Sequence, residues 1–161
     1  MPDPGANEPK VPDRPSEPRP PSGVWFAVDV GSVRIGVARS DPGGLLAVPV
    51  ITLKRDVAGN ADVDRLVELI AEHEAVGVVV GLPLTLAGRN GPAVDAARGY
   101  GALLHTRIAP IPIEYADERM TTVLAQRSLT TSRVRGRAKR AVVDQAAAVE
   151  ILQSYLDRRR R

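Results

Sequence analysis

Three acidic positions have the setting that chemistry requires. Asp29 sits near the end of an apolar run, Val24 to Val30, between Val28 and Val30. Asp117 and Glu118 follow a second apolar stretch, Ile111 to Tyr115. Asp144 shares a helical face with Ala147, Ala148 and Ile151. An ionised carboxylate among apolar neighbours is costly unless something compensates it, and a cation is one such partner. Hard oxygen donors with no Cys or His among them suit magnesium or manganese. Two such ions, about 3.5–4 Å apart, activate water and stabilise the leaving oxygen of a phosphodiester. Each position also has a plainer use. Asp29 would cap the Gly31-Ser32 turn. Asp117 and Glu118 would pair with Arg119 or favour a helix start. Asp144 would lie at the margin of its face and reach solvent. Consecutive strand residues face opposite ways, so Asp117 and Glu118 cannot both enter one site if the strand continues through them, and alternation alone does not choose between them.

Other groups offer less. The chain has no cysteine, which excludes disulfides, thiolate metal sites and a thiol nucleophile. Its two histidines, His73 and His105, fall on expected helices far in sequence from the acids, where solvated or core roles suit them. Gly81-Leu82-Pro83-Leu84-Thr85 to Gly91 is a strand-to-helix loop whose amides suit a phosphate, or an ordinary connector; the GK[ST] ending of a Walker loop is absent. Arg133, Arg135, Arg137, Lys139 and Arg140 alternate with small residues, which argues for a mobile basic loop that grips phosphates without reading sequence. Residues 133–161 hold nine bases against three acids, whereas residues 23–132 hold ten against twelve. That excess of positive charge favours a polyanionic partner, or simply solvates the end of the chain. Aromatic residues make up only 3% of the chain, so base stacking is not the expected mode of grip.

The elements that must position these residues follow from periodicity. Residues 1–22 are rich in Pro and charge and are expected to be a disordered arm. Residues 23–161 are expected to form one domain. Val24 to Val30, Arg34 to Ser40 and Leu45 to Leu53 are expected strands joined by tight turns, the second at Pro42-Gly43-Gly44. Asn60 is the expected N-cap of a helix carrying Val63, Leu66, Val67 and Ile70. A short apolar strand, Val76 to Val80, precedes a helix from Pro92 to about Thr106. Ile111 to Tyr115 is the fifth strand; helices over about Thr121 to Leu129 and Arg140 to Leu156 complete the chain. The order βββαβαβα, with one extra short helix, predicts an α/β fold: a five-stranded mixed sheet flanked by helices. Ligands of such sheets bind beyond the carboxyl ends of the strands, near Asp29, Gly81 and the Asp117-Glu118 pair.

Four ordered motifs then resemble the YqgF-type family. They are Phe26-Ala-Val-Asp29-Val-Gly31-Ser-Val-Arg34-Ile-Gly36-Val-Ala38-Arg-Ser40-Asp41; Val79-Val-Gly81-Leu82-Pro83-Leu84; Asp117-Glu118-Arg119-Met-Thr121-Thr122; and Asp144-Gln-Ala-Ala147-Ala148-Val-Glu-Ile151-Leu152. The resemblance spans about residues 24–157. It implies a ribonuclease-H-like fold and a magnesium- or manganese-dependent nuclease that processes the 5′ end of pre-16S ribosomal RNA, or a Holliday-junction resolvase. It implies that Asp29, Glu118 and Asp144 are the metal-binding, catalytic carboxylates; only the resemblance prefers Glu118 to Asp117. Arg34, Arg119, Arg133, Arg135, Arg137, Lys139 and Arg140 are the expected substrate-binding cations. Two positions depart from related enzymes. Ala147 stands where junction resolvases often carry a fourth acid, and Gly81 stands where many ribonuclease-H-like enzymes carry one, which implies a weaker hold on a second cation.

Rival readings differ in class. Asp29-Val-Gly31 with Gly36 and Ala38 is also similar to the phosphate hairpin of actin-like ATPases, but those need two such domains and 161 residues are too few. A ribosome-assembly factor that binds RNA without cutting it is the second rival. The expected partner is structured nucleic acid, pre-rRNA or branched DNA, with no membrane; the expected state is monomer or homodimer in the cytoplasm. Because the arm contributes no core, a chain beginning at Gly23 is expected to keep its thermal midpoint. A fall of more than a few degrees in a thermal melt would show that the arm docks.

Overall fold

The fold is seen in a computed structural model that describes residues 22–84, 91–118 and 136–161. The expected arm up to residue 21, the loop segment 85–90, the expected helix over 121–129, and Arg119, Arg133 and Arg135 lie outside the described residues. Strands β1 (Trp25–Val30), β2 (Arg34–Ser40) and β3 (Ala47–Lys54) come first. Helix α1 (Ala61–Glu72), strand β4 (Gly77–Leu82), helix α2 (Pro92–Ile108), strand β5 (Ile113–Asp117) and helix α3 (Arg137–Arg159) follow.

The five strands form one mixed sheet in the order β3-β2-β1-β4-β5. β1 pairs antiparallel with β2, and β2 with β3, giving the expected meander. β4 and β5 join in parallel through helical crossovers. The carboxyl ends of β1, β3, β4 and β5 therefore share one edge of the sheet with the amino end of β2.

Alternation along the strands builds two layers of core. Phe26, Val28, Ile35, Val37 and Val78 pack with Leu66, Ile70 and Leu104 beneath α1 and α2. Trp25, Ala27, Ala38, Val79 and Ala116 pack with Ala147, Ala148, Ile151 and Leu152 beneath α3. The small residues of this second layer bring α3 close. The closest approach is at Gly36, where a Cβ would lie 2.0 Å from the Asp144 carbonyl oxygen. Farther along, the Thr52 hydroxyl donates to the Ala141 carbonyl at 2.7 Å and accepts from Gln145 Nε2 at 3.1 Å, which ties β3 to α3.

Three local expectations need correction. Asn60 precedes α1 but is no side-chain cap: its φ is 56° and its side chain makes no capping bond. Asp56 takes that role, accepting from the Gly59 and Ala61 amides at 3.0 and 3.1 Å. Those amides hold the Asp56 carboxyl below its usual range. The fifth strand starts at Ile113 rather than Ile111, because the Ile111 amide still closes the turn after α2 on the Ile108 carbonyl. The expected basic loop is partly helix: Arg137 and Lys139 join Arg140, the expected helix start, in the first turn of α3. Arg, Lys and Ala are good helix formers, so the break falls at Gly136 instead.

Across the other layer, α1 and α2 meet around a buried acid. Arg55 Nη1 donates to Asp62 Oδ2 at 3.1 Å while its guanidinium lies 4.7 Å from the Tyr100 ring centre. Burial, then the Asp62 charge, push the Tyr100 phenol well above its usual pKa. The contact at Gly36 supplies the test of this architecture. Gly36→Ala is expected to cost about 2 kcal/mol or more in a urea titration, at the upper end of overpacking penalties, because the atom in the way is main chain. A variant as stable as the parent would refute the close approach of α3.

Candidate active site

Asp29 has the same parity along β1 as Trp25 and Ala27, so it faces α3. It lies opposite Gly36 on β2 and is only 4% exposed. The main chain of Asp144 rests on Gly36, which brings the α3 acid over the β1–β2 pair. The Asp144 carboxylate accepts from Arg34 Nε at 2.8 Å, with the two side chains about one quarter exposed. A cation was one expected compensation for Asp144; the compensation found is a guanidinium of its own chain. At that exposure the pair is worth little by itself in stability, and its interest is positional.

Glu118 is the first residue beyond β5. It follows Ala116 by two positions, points to the same side and is 1% exposed. Asp117 is only half-buried and by alternation faces the other way, so the fold sets Glu118 beside α3. The reason there is room lies on β4. Gly81 is opposite Ala116, and a Cβ at Gly81 would lie 2.9 Å from Glu118 Oε1 and 2.6 Å from Ile151 Cδ1. Gly81 and Asp29 each follow the last paired residues of β4 and β1, Val80 and Val28. The strand end expected to lack an acid thus leaves the space that an acid from the next strand occupies.

Asp29, Glu118 and Asp144 are therefore brought to one side of one sheet edge. Among the described residues, no group of three or more His, Asp or Glu side chains stands close enough to form a ready metal cage. The histidines take no part. His73 packs against Phe26 in a tilted arrangement with ring centres 5.7 Å apart on the far face, and His105 is exposed on α2. Of the expected substrate cations, Arg34 adjoins the acids, and Lys139 and Arg140 are exposed at the start of α3. Sequence reasoning missed the roles of Gly36, Gly81, Thr52 and Lys54. A glycine inside a strand run signals close approach of another group, and that signal was available for the first two.

The family model described as RuvX, Holliday junction resolvase, matches residues 23–158. The chain belongs to the RuvX (YqgF) family. A relative from Mycobacterium sp. (strain KMS) is 55% identical over 151 residues, covering 94% of this chain and 89% of its own length. One from Frankia casuarinae is 58% identical over 137 residues, covering 85% and 68%. Both carry the name "Putative pre-16S rRNA nuclease". Among solved structures, T. thermophilus RuvC in complex with a Holliday junction substrate aligns over 86% of this chain and 96% of its own, with a TM-score of 0.55 at 16% identity. The RuvX chain shares its ribonuclease-H-like fold.

The packing at Gly81 generates the prediction for this RuvX site. Gly81→Ala is expected to cost about 1–3 kcal/mol of stability, since Ile151 and Glu118 must both move. Combining it with Ile151→Val should recover part of that loss in the same denaturant titration, because the shorter side chain withdraws the nearer clash. Full additivity of the two costs would contradict the geometry.

Proposed function

We propose that this chain is a divalent-metal-dependent nuclease that hydrolyses phosphodiesters of structured RNA, with the 5′ end of pre-16S rRNA as its substrate in the cytoplasm. The observation that carries the reading is the pair of buried carboxylates, Asp29 and Glu118, on the α3 side of the sheet edge where strand ends converge. Two carboxylates buried on one face need compensating charge, and a bound cation supplies it to both at once. Family membership and the names of its relatives point to the same chemistry. Among the described residues, no helix is long and apolar enough to cross a membrane.

The donor set fits magnesium or manganese: carboxylate oxygens, with no sulfur and no imidazole among them. Asp29 and Glu118 would hold the cation, and Asp144, on the same side of the sheet edge, would be the third oxygen donor. When bound, such a cation supplies positive charge against the negative charge that develops on a phosphodiester under attack. Arg34 keeps Asp144 oriented and its charge offset, so the site tolerates three acids on one edge. Lys139 and Arg140 would grip backbone phosphates without reading bases.

Cleavage of a four-way DNA junction is the second reading. The description of the family and the substrate in the RuvC neighbour favour it. A precursor rRNA 5′ fragment and a four-way junction, assayed side by side with magnesium and with manganese, separate the two. Asp29→Asn, Glu118→Gln and Asp144→Asn are each expected to lower cleavage of the preferred substrate by more than the roughly 10- to 100-fold typical of residues that only orient a metal ligand. Their circular dichroism should stay native. Parental rates in all three would remove the metal site, and tight RNA binding with no cleavage under either metal would favour a non-catalytic assembly factor.

A further inference from the structure

A recess of about 560 Å³ opens between the β2–β3 pair and the start of α3. Its walls include Arg34, Lys54, Arg140, Thr52, Val33 and Gly136. We propose that this recess binds a phosphate of the nucleic-acid backbone next to the one that is cut; the inference rests on the nuclease reading and extends it.

The charge argument comes first. Three cations from three elements line the recess and, among the described residues, no acid does. Arg34 and Lys54 are direct cross-strand partners, and like charges so placed repel. Asp144 offsets Arg34. Among the described residues, neither Lys54 nor Arg140 forms an ion pair, so the recess keeps an excess of positive charge for a ligand to meet.

Shape and chemistry narrow the ligand. The volume exceeds a bare phosphate and falls in the range of built ligand sites. The Thr52 hydroxyl is already engaged by Ala141 and Gln145, so it stiffens the wall rather than reading a base. Among the described residues no aromatic ring lines the recess, which argues against base stacking there. Val33, 59% exposed, gives an apolar lip against which a sugar packs. What remains is recognition of phosphate and sugar without sequence preference. Arg34 belongs to the recess and to the Asp144 pair at once, so a phosphate held there lies beside Asp144 at the candidate site.

The test reads binding without chemistry. Labelled RNA hairpin and four-way DNA junction are titrated by fluorescence anisotropy in EDTA across a salt series. The variant Lys54→Gln/Arg140→Gln changes two exposed side chains and is expected to keep its thermal midpoint. Its slope of log affinity against log salt should be shallower by about 1–2, with at least a several-fold loss of affinity at low salt. Arg160→Gln/Arg161→Gln removes the same charge at the other end of α3 and should leave the slope near the parental value. Equal flattening in both pairs would reduce the effect to net charge and overturn the proposal, as would no flattening in either. Inorganic phosphate or a mononucleotide that displaces the hairpin at micromolar concentration would mark a site for free phosphate and overturn the backbone reading. If the recess pair behaves as expected and no cleavage occurs with either metal, the nuclease reading fails while the phosphate site stands.

Discussion

The main chain of α3 touches the main chain of the sheet at Gly36, and the rest of the architecture depends on that contact. Helices usually stand off a sheet by the length of intervening side chains. Here nothing intervenes at the Asp144 carbonyl, and the alanines of the same layer continue the close fit along the helix. The contact fixes the height and rotation of α3 together. Ala147, Ala148 and Ile151 are thereby driven into the core, and Asp144 is left at the edge where its carboxylate reaches Arg34. A larger residue on β2 would lift the helix, and the acid would leave the strand ends.

A second vacancy of side-chain volume, at Gly81, works in the same way for Glu118. The two glycines lie on strands either side of β1, which carries Asp29 between them. Acids approach the sheet edge from α3 and from β5 because β2 and β4 present no side chain in their path. The sheet thus defines the site largely by what it omits. Arg34 completes the balance of charge, since it stands on the same strand as Gly36 and faces the same layer.

Much of this was legible in the sequence, and the misses have physical causes. The meander, the parallel additions and the α3 face followed from period-two and period-3.6 patterns, which long-range packing did not override. Asp29 and Asp144 were legible as acids in apolar settings. Glu118 over Asp117 was not, because alternation states that two residues diverge but not which one meets the helix. Gly81 was read as a missing acid, since spacing along one strand cannot reveal that a neighbouring strand fills the gap. Lys54 carried no local signal: its significance comes from pairing opposite Arg34, a relation between residues twenty positions apart. Residues 137–139 were read as a loop because charge alternation was weighed above helix propensity.

The rim of the sheet formed by β3 has one further consequence. Its register shifts against β2 between Val37 and Ala38, and Pro49, opposite Ala38, has no amide hydrogen to donate. An irregular border with a missing donor is a poor template for a foreign strand. Growth of the sheet by recruitment of another chain at β3 is thereby discouraged, so a pairing of two molecules on this side falls to helix surfaces and loops. The border that closes the fold against fibril-like stacking is the same one whose inner face supplies Thr52 and Lys54 to the recess.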